Sequence, residues 1–418
     1  MVAERIAFVS TFPPRQCGIA KFTADLIRNV TERSAGECSS LVVALSNSKA
    51  FSYPPIVRQN IRQDHVDDYL RAAEYLNKAG VDVVSLQHEY GIFGGDTGAG
   101  EHIQCMLDRL QIPVVTTFHT VLLSPSVEQY WTTRNIAKRS ARVVVMSRRG
   151  AEMLRQVYSV AANKIVVVPH GIPDLPFSDT LDAKRQYGLE DRTVILTFGL
   201  LGRNKGIEVM LEAMTEIVSR IPDALYIVLG ATHPNVLKAE GETYRRALEQ
   251  QVKNLGLEEH VVFQNEYVDD RRLHEFLRMA DFYVTPYLSE KQIVSGTLAF
   301  ALGTGRAVIS TPYWYAQELL ADGHGRLVPF NDPAGIARTI IDLTNSPEEY
   351  QRMRRRAYKK GRTMTWPTVG QTYRQLFATV AAEARETSRL PSRVSSALAT
   401  RHSQSETAEM ASGGNRVA

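Results

Sequence analysis

Phe198-Gly199-Leu200-Leu201-Gly202-Arg203-Asn204-Lys205-Gly206 sets the architecture expected of this 418-residue chain. It follows the apolar run 193–197, which reads as a buried strand. It precedes 207–218, where Met210, Leu211, Met214, Ile217 and Val218 recur at helical spacing. A strand, a glycine-bearing turn with two cations and a helix start together suit a phosphate. Glycines let the backbone approach an anion, free N–H groups at the helix start attract it, and cations neutralise it. The spacing matches neither the dinucleotide fingerprint nor the nucleoside-triphosphate loop. A phosphate-bearing ligand is therefore expected, but not a plain NAD or ATP site.

Outward from this stretch, strand-like and helix-like runs alternate along the chain, which favours α/β units with parallel sheets. Strands are expected at 5–10, 40–45, 81–86, 114–117, 142–146 and 164–168. A second series follows at 193–197, 225–229, 261–264, 282–285, 307–310 and 325–328. Helices are expected between them, among them 66–79, 99–110 and 149–157. The expected division is a first unit over 1–172, a linker over 173–191 rich in Pro and Gly, and a second unit over 192–350. C-terminal helices over 351–384 would pack back on the first unit, and 385–418 would be a disordered tail of Ser, Thr, Arg and Gly. Two doubly wound units facing each other leave a cleft at the carboxyl ends of their strands, where such sheets bind ligands.

Composition narrows the class. Apolar residues make up 44% and charged residues 22%, as in ordinary globular proteins. A net charge of +4 admits anionic ligands without calling for nucleic acid. Three scattered cysteines, Cys17, Cys38 and Cys105, have no metal-ligand spacing and read as reduced thiols. With no span-length apolar run and with Glu4 and Arg5 interrupting the N-terminus, a cytoplasmic location is expected.

An ordered series of segments then carries a resemblance. These are Phe12–Ala20 with Gly18, Thr116–Thr120 with His119, Val145–Ser147, Val168–Ile172, Gly199–Gly206, Val228–Gly230, Val261–Phe263, Ala280–Pro286, Gly305–Thr311, and Glu318 followed by Asp322, Gly323 and Gly325. Each is weak alone; in this order they resemble the retaining nucleotide-sugar glycosyltransferases of GT-B architecture, in the group called family 4, from about residue 5 to 380. The resemblance implies two Rossmann-like domains facing across a cleft. It also implies hexose transfer from a nucleoside-diphosphate sugar to a hydroxyl of a carbohydrate or glycolipid acceptor, without a cofactor or bound metal.

Residue by residue, the resemblance makes Lys205 the cation that stabilises charge on the departing diphosphate. Arg203 assists from the same turn, although relatives place arginine where this chain has Leu200. His119 lines the sugar site as a neutral imidazole. Gly18, Gly199 and Gly230 admit the donor, and Glu318 receives the ribose hydroxyls. Relatives carry two glutamates separated by seven residues, where this chain has Gln292 and Phe300. Ser295, Gly296 and Thr297 between them open a helix suited to phosphate. His88, Glu89 and Tyr90 end a strand and are candidates for acceptor contact, with an ordinary surface loop as the alternative. The cationic run from Arg352 to Arg362 offers peripheral membrane contact or, more simply, a solvated face. The missing glutamates keep two rivals open: a glycoside phosphorylase or sugar-nucleotide epimerase, and a non-catalytic sugar-nucleotide binder.

Overall fold

The computed structural model describes residues 5–31, 38–47 and 51–389. Buried aliphatic runs build two sheets. The first holds β1 (Arg5–Ser10), β2 (Ser39–Ser46), β3 (Val57–Arg62), β4 (Val83–His88), β5 (Val114–Phe118), β6 (Arg142–Val145) and β7 (Ile165–Val167). Its order is β3-β2-β1-β4-β5-β6-β7, and every pairing is parallel. The second holds β8 (Thr193–Phe198), β9 (Ala224–Leu229), β10 (Val261–Gln264), β11 (Phe282–Thr285), β12 (Ala307–Ser310) and β13 (Arg326–Leu327). Its order is β10-β9-β8-β11-β12-β13, again all parallel. Helices cover both faces, so central strands such as β4 are buried from end to end.

The strand order reverses beside β1 in one sheet and beside β8 in the other. A crevice opens at the carboxyl end of such a switch point. The chain leaves β1 through 11–17 into Gly18, which opens the next helix, and leaves β8 through 199–206; these are the two glycine-bearing segments singled out above.

Helix Gly18–Thr31 shows how pattern becomes packing. Phe22, Leu26 and Val30 repeat every fourth residue and are buried against Val369, Tyr373 and Phe377 of the final helix, Trp366–Arg389. Each such side chain stabilises by about 1.5–3 kcal/mol on burial. The Thr117 and Tyr373 hydroxyls, 3.0 Å apart, tie the final helix to β5.

Several expectations are revised. β3 was not anticipated, because Val57–Arg62 is a polar edge strand buried fully only at Ile61. The helix expected from 99 starts at Ile103, after glycines at positive φ. Segment 173–191 contains helix Leu181–Arg185 and is fastened to the second unit: Lys184 pairs with Asp281 at 2.5 Å, and Arg306 and Arg354 donate to Ser178 O. The C-terminal helices divide. Met353 and Ala357 of helix Pro347–Gly361 join the second unit's cores, whereas Trp366–Arg389 returns to the first. Residues 385–389 continue that helix, and the rest of the expected tail, 390–418, lies outside the described residues. No helix among the described residues is long and apolar enough to cross a membrane.

Candidate functional site

Two adjoining cavities, of about 720 and 830 Å³, lie between the sheets and share Gly18, Phe22, His170, Leu200, Lys205, His233, Gly296 and Thr297. They form one cleft with Lys205 at the junction. The larger cavity runs past Gly199, Gly230 and Phe300; the smaller runs past Glu89, His119 and Gln292.

Lys205 ends a tight turn, Arg203–Lys205, closed by Gly206 at φ 63°. Its Nζ donates to the Tyr287 hydroxyl at 2.9 Å and stands 4.0 Å from the centre of that ring. No carboxylate among the described residues lies within ion-pair distance of Lys205. Burial alone would raise the Tyr287 phenol, but Lys205 and the hydroxyls of Thr297 and Ser295 outweigh it and hold the phenol below its ordinary value.

Facing Lys205, Ser295 caps helix Gly296–Gly303 by accepting from Leu298 N at 3.3 Å. Gly296 and Thr297 line both cavities. A β-carbon on Gly296 would meet His170 Nε2 at 2.9 Å, so glycine lets this helix start reach the cleft. Gly199 and Gly230 hold φ of 128° and 148°, which side chains rarely adopt. Gly18 needs no such φ; nothing stands within 4 Å of its β-carbon position, which leaves open space in the cleft.

His119 lies 6% exposed at the end of β5. Its Nε2 is 3.0 Å from Gln87 Oε1, while Gln87 Nε2 donates to Ser85 Oγ at 3.0 Å. The amide oxygen must therefore accept, so Nε2 carries the proton and Nδ1 is left as an acceptor. Burial, with His170 and His88 nearby, holds the imidazole down to about 3 and therefore neutral. Glu89 accepts from Thr120 Oγ1 at 2.8 Å and from Tyr90 N at 2.9 Å. Burial pushes its carboxyl up to about 7 despite those two bonds.

Arg203 lines the smaller cavity, but its guanidinium is paired with Glu240 at 2.6 Å and lies over Tyr244; that carboxylate competes for the charge an anion would need. Three candidates stand elsewhere. Glu318 lines neither cavity, and its carboxylate accepts from Arg148 N. His88 is fully buried, stacked on Phe93 at 5.6 Å, with neither ring nitrogen partnered among the described residues, because its strand position points into the core. Tyr90 reaches Thr133 instead of the cleft. In the cationic run, Arg354 is 2% exposed and holds Gly305 O, while Met353 and Ala357 are buried in the core; what faces solvent there is charge without an apolar face.

Residues 24–174 match the family model described as Glycosyltransferase Family 4, and residues 179–360 match the one described as Glycosyl transferases group 1. The crystal structure of Anabaena Alr3699/HepE in complex with UDP and glucose superimposes with a TM-score of 0.70 at 16% identity, over 90% of this chain and 100% of that one. The chain has the GT-B fold. Among curated relatives of this GT-B chain, mannosylfructose-phosphate synthase of Agrobacterium fabrum is 28% identical over 55% of this chain. That match spans 50% of the relative's own length. Phosphatidyl-myo-inositol mannosyltransferase of Mycolicibacterium smegmatis is 28% identical over 66% of this chain and 67% of its own. The family models, both of glycosyltransferases, together span both halves of the GT-B architecture.

Sequence reasoning missed His170, His233 and Tyr287, whereas Lys21, which flanks Gly18, was legible as a residue facing the cleft. His170 and His233 line both cavities. Lys21 crosses the cleft to Asp270 at 2.9 Å. The segment holding His170 was legible as part of the ordered series; the Lys21 and Tyr287 contacts join residues far apart in sequence and left no local signal. Among the described residues no group of three or more His, Cys, Asp or Glu could hold a metal ion.

Proposed function

We propose that this protein is a retaining hexosyltransferase that takes its sugar from a nucleoside diphosphate and delivers it to a hydroxyl of a carbohydrate or glycolipid. One observation carries the reading: an ammonium with no counter-carboxylate among the described residues, Lys205, stands where the two cavities meet, opposite the capped start of helix Gly296–Gly303. A diphosphate placed there meets a positive charge and helix N–H groups as its leaving oxygen gains charge. The larger cavity receives the nucleoside and the smaller one the sugar and acceptor. In this reading the bond from C1 to the diphosphate breaks as the acceptor oxygen bonds to C1 on the same face. The acceptor proton passes to the departing phosphate oxygen. Neutral His119 orients a sugar hydroxyl through Nδ1, and Glu89 holds the acceptor. The reading calls for no cofactor and no metal.

Gln292 and Phe300 support a second reading. Gln292 spends its amide N–H on Val294 O, and Phe300 presents a ring edge to His170, so neither supplies the carboxylate relatives use. A GT-B phosphorylase or epimerase would fit that loss. Calorimetry with UDP, GDP, ADP and inorganic phosphate, followed by transfer assays over an acceptor panel, tests both. Nucleoside-diphosphate binding with transfer supports the hexosyltransferase; phosphate binding with no nucleotide binding overturns it.

A further inference from the structure

Tyr287 follows Pro286 at the end of β11 and is 1% exposed, lining neither cavity. It nevertheless accepts the only hydrogen bond that the Lys205 ammonium makes among the described residues, and presents its ring face to the same atom. The phenol is itself fixed. Its ring stacks on Tyr313 at 5.2 Å with an 18° interplanar angle, and its hydroxyl lies 3.3 Å from Thr297 Oγ1. Thr297 Oγ1 is in turn 3.2 Å from Ser295 Oγ, the cap of helix Gly296–Gly303. The backbone is held too: Thr311 Oγ1 donates to Tyr287 O at 2.7 Å, and Leu288 N donates to Asn204 O at 3.1 Å, joining this segment to the turn that bears Lys205.

A lysine has a long flexible stem and a strongly hydrated head, so on an exposed turn it samples many positions. A carboxylate would hold it but would neutralise the charge that an anionic ligand needs. A buried phenol holds it by one hydrogen bond and by the ring's negative face, and leaves the full charge free. We propose that Tyr287 is the positioning residue for Lys205, aiming an uncompensated ammonium at the diphosphate and coupling it through Thr297 and Ser295 to the helix start opposite. This proposal rests on the diphosphate reading given above, and its test separates the two.

The test uses the full chain with Tyr287→Phe, Tyr287→Leu and Lys205→Ala. In protein carrying 13C at lysine Cε, the Lys205 resonance is assigned by its loss in Lys205→Ala. Ring currents should shift it upfield in the wild type and in Tyr287→Phe, and the shift should vanish in Tyr287→Leu. Calorimetry with UDP, GDP and ADP should show affinity for the nucleotide bound best falling about 10-fold in Tyr287→Phe, as expected for loss of one charge-assisted hydrogen bond. Tyr287→Leu should lose more, so that the conservative variant rescues part of the function. An identical Lys205 resonance in all Tyr287 variants overturns the proposal. So does wild-type nucleotide affinity in both variants when Lys205→Ala has lost it. If the wild type binds no nucleoside diphosphate, the donor reading fails, while the resonance still decides whether Tyr287 positions Lys205. Should Tyr287→Leu fail to fold, Tyr287→Phe, which loses one oxygen atom, carries the affinity test.

Discussion

Glu318 and Arg148 join the two halves of the molecule: both carboxylate oxygens of Glu318 lie 2.9 Å from the backbone N of Arg148. Arg148 opens helix Arg148–Gln156 of the first unit, whose first turn also receives the Ser147 side chain. A carboxylate from the second unit thus caps a helix of the first, where N–H groups lack partners and the helix dipole favours negative charge. Beside it, Arg149 lies over Trp314 at 5.2 Å, and Ile293 enters the first unit's core.

Glu318→Ala should therefore cost about 1 kcal/mol of stability, the usual magnitude for a lost helix cap. Denaturant unfolding measures it. Nucleoside-diphosphate affinity should stay at the wild-type value; a large loss of affinity would restore Glu318 to the ribose site.

Lys205→Ala should remove on the order of 2–4 kcal/mol of transition-state stabilisation, comparable to losing a charge-stabilising donor elsewhere. Thermal stability should change little, since Lys205 makes no ion pair among the described residues. Steady-state kinetics with the active donor checks the first outcome, and unchanged turnover would refute the catalytic role.

Glu89 gives a pH dependence whose sign is fixed. Its folded-state value, about 7, lies above the ordinary 4.5 because burial disfavours the charged form. Between those values the folded protein binds more protons than the unfolded chain, so this group's contribution to stability falls as pH rises through the window. Glu89→Gln should be more stable relative to wild type at pH 8 than at pH 5, as read from unfolding midpoints at the two pH values. A constant difference would show that Glu89 does not titrate in that window.

Lys21 and Asp270 form the second bridge, across the mouth of the larger cavity, with Lys21 also paired to buried Asp25. Side-chain exposures of 32% and 44% leave the Lys21–Asp270 pair open to screening, and the screening length is about 8 Å at physiological salt. Asp270→Lys replaces attraction with repulsion and should widen the cleft. Small-angle scattering should record a larger radius of gyration for the variant than for wild type at low salt, with the difference shrinking at high salt.

Gly206→Ala should destabilise the turn that carries Lys205. Gly206 sits at φ 63°, and an added β-carbon would overlap the Pro286 carbonyl. Strain in such a backbone region costs about 1–3 kcal/mol. Unfolding midpoints give the loss; an unchanged midpoint would mean the turn relaxes freely.

The alternating periodicity, the glycine turn 199–206 and the helix-opening Ser295 were legible because each reflects a local rule: buried strands are apolar, tight turns take glycine, and helix starts take hydroxyls. β3 escaped because an edge strand in water needs no apolar run. The partners of Glu318, His88 and Arg203 escaped for a different reason. Glutamate at a helix, histidine at a strand end and arginine in a turn have the same local sequence whether they face a ligand, a core or a neighbouring carboxylate.

By itself, then, the sequence determined two α/β units and the loops that leave their central strands, since hydrophobic period and turn chemistry act over a few residues. Only the tertiary structure decided which side chains meet. It brought Tyr287 to Lys205 across 82 positions, set Glu318 on Arg148 across 170, and turned His88 inward. Such contacts depend on the packing of whole sheets and helices, which no short window of sequence encodes.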